Sequence, residues 1–241
     1  MEASLSMVFQ DDYLVAINKP SGLLVHRSPI DRHETRFAVQ LLRDQLGGQW
    51  VYPVHRLDKP TSGLLLFALS PEIARQVSEA FTLGEVSKTY LAVVRGHAPL
   101  ERFIDHPLED EVDHAGRRIA NGAAREAITS LSCLQHWTVP MPVDRYPEGR
   151  YSLVELRPQT GRHRQLRRHM KHISHPIIGD TRYGKGSHNR FFREHFNSHR
   201  LLLHAQGLEL QHPVTAEPLR LEAKPDQDFA GVVNGLRAAS S

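Results

Sequence analysis

Hydrophobic positions along this chain fall in short runs, some alternating with the two-residue period of strands and others recurring at helical spacing. Residues 8–10 and 13–18 read as two strands separated by Asp11-Asp12, and Pro20-Ser21-Gly22 imposes a turn after them. Phe37, Leu41, Leu42 and Leu46 predict a helix over 34–46, with Asp31 ahead of it as N-cap and Gly47-Gly48 ending it. Residues 51–54 and 64–69 read as buried strands flanking a polar loop, 55–63, in which Pro60 and Gly63 break regular structure. Ser70, Pro71 and Glu72 fit N-cap, N1 and N2 of a second helix that stops near Gly84.

Residues 88–95 are rich in β-branched and aromatic types and predict a strand. Residues 102–109 and 124–134 continue as a meander, with Pro107 interrupting the first. A Pro-rich loop, 140–149, leads to a strand over 151–156, a turn over 157–161 and a helix over 162–172. Short strands are expected at 201–205, 208–210 and 219–221, the last two joined by a hairpin loop, 213–218. Many short strands with irregularly placed helices imply an α+β fold with a mixed, mostly antiparallel central sheet and flanking helices. No repeat or linker is visible, so a single domain over 1–241 is expected.

Composition adds boundaries. Hydrophobic residues make 40% of the chain and charged residues 24%, close to globular averages, which excludes a disordered or fibrous protein. The longest apolar run, 64–69, is far short of the roughly 20 residues of a membrane helix. Met1-Glu2-Ala3-Ser4 lacks the basic and apolar regions of a secretory signal. The one cysteine, Cys133, has no disulfide partner in the chain, so a cytoplasmic protein is expected. A net charge of +3 conceals an asymmetry: residues 157–204 hold eleven Lys/Arg against Asp180 and Glu194, a net +9, which leaves −6 for the remainder. One strongly basic segment on a mildly acidic body suits a polyanionic partner.

The loop His55-Arg56-Leu57-Asp58-Lys59-Pro60-Thr61-Ser62-Gly63 places one carboxylate between two cations. By composition alone it is either a turn whose Asp caps local amides or a site whose ionised carboxylate acts as nucleophile or base. As a string it closely resembles the HRLDxxTSG motif of the RluA-type pseudouridine synthases. The resemblance continues through Asn18 to Gly22, Lys88-Thr89-Tyr90, Thr160-Gly161-Arg162 to Arg167, His175 to Asp180, and Leu203-His204-Ala205. Where that family usually has His before the Gln of its TGRxHQxR segment, this chain has Arg164, with His163 preceding it.

The resemblance implies the pseudouridine synthase fold, as a single catalytic domain over 1–241 without the N-terminal S4 domain of many relatives, and an isomerase that converts uridine to pseudouridine in RNA. It needs no cofactor and no metal. The implied catalytic residues are Asp58 as nucleophile on C1′ or C6, Tyr90 stacking on the base, and Arg167 pairing with Asp58. The target nucleotide must leave its stack. Arg56 would fill the space it vacates, Lys88 would contact phosphate or pack its stem along the strand, and Leu203 would line the uracil pocket. Arg162, Arg164, Arg168 and Lys171, on the expected helix, would track RNA phosphates. Val25 to Ser28, Arg167 to His169 and His175 to Asp180 are most similar to the branch that modifies uridine 65 of certain tRNAs. The expected partner is therefore tRNA, for a monomer with no membrane association; rRNA, dual specificity and a non-catalytic RNA-binding factor of the same fold are the alternatives. His163, His169, His172, His175, His195, His199 and His204 raise the question of zinc, but HExxH is absent and no cysteine lies nearby, so no metal site is expected.

Overall fold

A computed structural model describes residues 4–26, 35–111 and 122–240. The chain divides into two compact units, Met1–Lys88 with His204–Asp226, and Thr89–Leu203 with Gln227–Ser241. The expected N-cap Asp31 and the segment Arg27-Ser28 lie outside the described residues.

In the first unit, β1 (Ser6–Gln10) and β2 (Leu14–Lys19) pair antiparallel, and β2 continues antiparallel onto β4 (Ser62–Ala68). β3 (Tyr52–Pro53) also pairs antiparallel with β4. β11 (Leu203–Gln211) joins β4 in the parallel sense and carries β12 (Pro218–Glu222) on its far side. Every residue of β4 is buried, which explains the apolar run 64–68 within it. Leu14, Ala16, Leu64, Leu66 and Ala68 form a core with Ile73 and Val77 of α2 (Pro71–Leu83). That helix begins and ends on local chemistry: the Ser70 hydroxyl accepts from Ile73 N–H, Pro71 occupies N1, and Gly84 closes it at φ 78°. α1 is Ala38–Gln45, shorter than expected, and Phe37 occupies its N-cap position.

In the second unit, β5 (Ser87–Arg95), β10 (Gly149–Pro158), β9 (Ile128–Val139) and β6 (Glu101–Asp105) form an antiparallel sheet in that order. Pro107 splits the expected strand 102–109 into β6 and a two-residue β7 (Leu108–Glu109), which pairs with β8 (Ala124–Arg125). α3 (Gln165–His172) packs Leu166 and Met170 onto Ala92, Val94, Val154 and Leu156. α4 (Gly186–Phe196) and α5 (Gln227–Ala239) contribute Phe191, Phe192, Phe229, Val232 and Leu236 to a second core, with Val93, Trp137 and Tyr151. The sheet is thus mixed and mostly antiparallel, with flanking helices, as expected.

Three sequence expectations are corrected. Gly63 does not end regular structure; it lies inside β4 at φ 110°, where a Cβ would overlap the Ala205 backbone of β11. Residues 201–205 and 208–210 are not two strands, because β11 runs unbroken from Leu203. Arg162 and Arg164 do not lie on the helix: Gln165 opens it, and Arg164 sits just before, in the left-handed region at φ 54°. No helix among the described residues is long and apolar enough to cross a membrane.

Candidate active site

The loop that carries Asp58 is built from its backbone outward. Thr61 N–H donates to Asp58 O at 3.0 Å, making a tight turn directly after the carboxylate. The preceding Pro20-Ser21-Gly22 turn grips the loop: Gly22 N–H donates to Lys59 O at 2.9 Å and the Ser21 hydroxyl to Pro60 O at 2.7 Å. Lys19, which has no exposed surface, donates through Nζ to Leu23 O at 2.8 Å, Pro20 O at 3.0 Å and Lys59 O at 3.2 Å. A buried ammonium is costly unless its donors are met, and three carbonyls meet them here. Lys19 therefore fastens the Asn18 to Gly22 segment to the Asp58 loop.

His55 anchors the other end. Its Nε2 accepts from Leu66 N–H at 3.0 Å and its ring stacks on Phe81, with centroids 4.8 Å apart. Burial, with a smaller contribution from Lys88, pushes its pKa down to about 3, so the ring is neutral and acts as an acceptor. At the β4 end, the Ser62 hydroxyl lies 2.9 Å from His204 Nδ1, and His204 Nε2 lies 2.9 Å from Ala223 O. The carbonyl requires the proton on Nε2, leaving Nδ1 to accept from Ser62. His204 is thus a fully buried strut. Asp58 is half-buried, Arg56 is exposed and Lys88 is half-buried, with burial lowering the Lys88 pKa. Asp58, Arg56 and Lys88 all belong to the first unit.

Tyr90, Arg167, Leu203 and the basic cluster belong to the second. Tyr90 stands opposite Leu156 on β5 and packs, partly buried, at the margin of the core that includes Leu203. Leu203, 3% exposed, is a member of that core. Arg167 is 6% exposed; its Nε donates to Asp180 Oδ2 at 2.7 Å and its Nη2 to Asp180 Oδ1 at 2.9 Å, a bidentate pair. Burial tends to raise the Asp180 pKa, but the hydrogen bonds from Arg167 and from Tyr183 and Arg182 N–H, with the Arg167 charge, hold it below the usual carboxylate value. In the sequence Asp180 was visible as one acid in a basic segment and as the end of the family-like segment His175 to Asp180; its pairing with Arg167 was not.

The turn ahead of Arg167 is set by Gln165. Its Oε1 accepts from the Thr160 hydroxyl at 2.7 Å and Arg162 N–H at 2.9 Å, while Nε2 donates to Ile128 O at 2.9 Å and Thr129 Oγ1 at 3.0 Å. All four bonding positions of this buried amide are used, so the Gln of the TGRxHQxR-like segment fixes geometry. Around it, Arg162 donates to Glu126 O, Arg168 donates to Glu109 O, and Arg164 lies 3.5 Å from Glu111. Lys171 is exposed, its ammonium 5.8 Å from the centre of the Tyr183 ring. Each arginine has five N–H donors, so one protein contact leaves others for phosphate.

The histidines have partners within the protein. His169 lies 3.0 Å from Thr129 Oγ1 and 3.1 Å from His106 O, His172 stacks on His106 at 3.6 Å, and His175 lies 2.9 Å from Arg95 O. No group of three or more potential metal ligands assembles among the described residues.

The first unit thus carries a carboxylate loop strapped by a buried lysine, and the second a bidentate arginine on a basic helix. The model of the family described as RNA pseudouridylate synthase matches residues 13–172, more than half of the chain, and the chain belongs to this family. Among its relatives is the tRNA pseudouridine synthase C of Vibrio cholerae serotype O1, 48% identical over 232 residues, 95% of each chain. That of Pasteurella multocida is 49% identical over 233 residues, 96% of each chain. The solved structure of Human RNA Pseudouridylate Synthase Domain Containing 1 superposes with a TM-score of 0.71 at 26% identity, covering 99% of this chain and 98% of that one.

Proposed function

We propose that this protein isomerises uridine to pseudouridine in tRNA, with both compact units serving one catalytic domain. The observation that carries this reading is near-full-length identity of about half to relatives named tRNA pseudouridine synthase C. The reaction breaks the N1–C1′ bond, turns the uracil, joins C5 to C1′, releases the C5 proton and protonates N1; it is redox-neutral and needs no second substrate. Asp58 is the nucleophile, attacking C1′ or C6. Its loop, held by Lys19 and Ser21 and anchored through His55, supports that role because a nucleophile must be positioned before it reacts.

Tyr90 stacks on the flipped base, since its partly buried position at the core margin suits a ring that is held on one side. Arg167 pairs with Asp58 through charge-assisted hydrogen bonds. Leu203 lines the uracil pocket, Arg56 fills the vacated stack, and Lys88 serves the substrate's phosphate. Arg162, Arg164, Arg168 and Lys171 follow the RNA backbone, which A-form helices present for recognition by shape. The target is uridine 65, and the enzyme works as a cytoplasmic monomer. Mapping pseudouridine in tRNA and rRNA of a strain deleted for this gene tests the substrate. Loss confined to tRNA position 65 is expected; loss at an rRNA site, alone or in addition, would give the alternative target, and no loss anywhere would favour the non-catalytic RNA-binding factor.

A further inference from the structure

Arg167 has an edge that the catalytic reading does not use, and the structure surrounds it with unusual care. Nε and Nη2 face the two oxygens of Asp180, and both residues are almost fully buried. Asp180 is itself fixed by a turn: its Oδ1 accepts from Arg182 N–H and Tyr183 N–H, each at 2.9 Å. The Asp180 carbonyl accepts from Gly184 N–H at 3.1 Å and Asn189 Nδ2 at 2.9 Å, while Asn189 Oδ1 accepts from Gly179 N–H at 2.8 Å. Glycines flank the turn because nothing larger fits. A Cβ on Gly179, at φ 80°, would overlap the Arg200 backbone, and one on Gly184 would overlap the Asp180 carbonyl. Tyr183, from the same turn, lays its ring 5.4 Å from the Arg167 guanidinium, and its hydroxyl donates to Glu111 at 2.6 Å.

We propose that Asp180 is a positioning residue for the isomerisation: its turn clamps the Nε–Nη2 edge of Arg167 and thereby fixes where the remaining guanidinium donors point. The inference rests on the proposed pairing of Arg167 with Asp58. A guanidinium is planar, so fixing one edge fixes the plane and the direction of every other donor. The carboxylate also compensates the charge of a buried arginine, which permits Arg167 to stand in the protein interior rather than in solvent.

The test compares single-turnover tritium release from tRNA labelled at uridine C5 by wild type, D180N, R167Q and the double variant, with tRNA affinity measured alongside. D180N is expected to slow release about 100-fold while tRNA affinity changes less than threefold, because small misplacements of a catalytic group carry losses of this size. The double variant is expected within threefold of the slower single variant, since residues acting as a unit are not additive. Independent, multiplying losses, or D180N within threefold of wild type, would overturn the proposal. D180E keeps the negative charge, and with it the fold, should D180N fail to fold; its carboxylate is displaced by one methylene and a loss of at least tenfold is expected, whereas a wild-type rate overturns the clamp. The Arg167 Nε–H resonance gives a readout separate from the reaction. It should exchange slowly in wild type and fast in D180E, and fast exchange in wild type would overturn the clamp. Absence of tritium release from wild type would instead defeat the reading of the reaction and leave that resonance to judge the clamp.

Discussion

Between pH 7 and pH 5 the fold should lose stability through His55, and the loss can be worked from its surroundings. The ring accepts from Leu66 N–H and lies on Phe81, and its pKa in the folded protein is pushed down to about 3 from an ordinary 6.5. A depressed folded value means that the unfolded chain takes up a proton the folded chain refuses. The stabilisation is therefore complete above pH 6.5 and is lost progressively as pH falls from there towards the folded value. Integrated from pH 7 to pH 5, protonation of the unfolded ring limits the loss to at most about 2 kcal/mol, and the partial exposure of the folded ring lowers it from there. His55→Gln retains an acceptor for Leu66 N–H but does not titrate. Urea unfolding of both proteins at pH 7, 6 and 5 should give a wild-type curve steeper by up to about 2 kcal/mol across that range. His188, also held neutral with a pKa pushed down to about 4, contributes equally to both proteins and cancels. Parallel curves would refute the assignment of His55 as a neutral anchor.

Gly63→Ala forces a side chain into the left-handed region and onto the Ala205 backbone, and should cost on the order of 3 kcal/mol or more, read as a lowered melting temperature. Gly231, inside α5 with nothing near its Cβ position, is the control: its replacement by Ala should stabilise by about 0.5–1 kcal/mol, and equal melting of the two variants would contradict the packing described. Removing Lys171 with Ala should weaken tRNA binding at low salt and reduce the slope of log affinity against log salt by about 0.7–0.9; an unchanged slope would remove Lys171 from the phosphate contacts.

What could be read from sequence was what is written locally. α2 carries its start in Ser70-Pro71-Glu72 and its stop in Gly84, and both were legible. α5 was not, because Gly231, Val232, Val233 and Gly235 are weak helix formers; its helicity comes from burying Phe229, Val232 and Leu236. α4 opens on Gly-Ser-His-Asn and was equally silent, though Phe191 and Phe192 make it part of the core. At the site, the motif around Asp58 was legible as a string, but its mechanics were not. Lys19 looks like an ordinary surface cation until three carbonyls are seen around it. Arg164 read as helical, yet Gln165 draws the chain into a turn first, a tertiary effect of its bonds to Ile128 and Thr129.

The proposed role of Asp58 is to initiate uridine isomerisation. It is tested most directly by tritium release from tRNA labelled at uridine C5, with wild type and Asp58→Asn compared at saturating enzyme. Wild type should release one tritium per target nucleotide and the Asn variant none, with tRNA affinity retained in both. Release by Asp58→Asn at a rate near wild type would contradict the account.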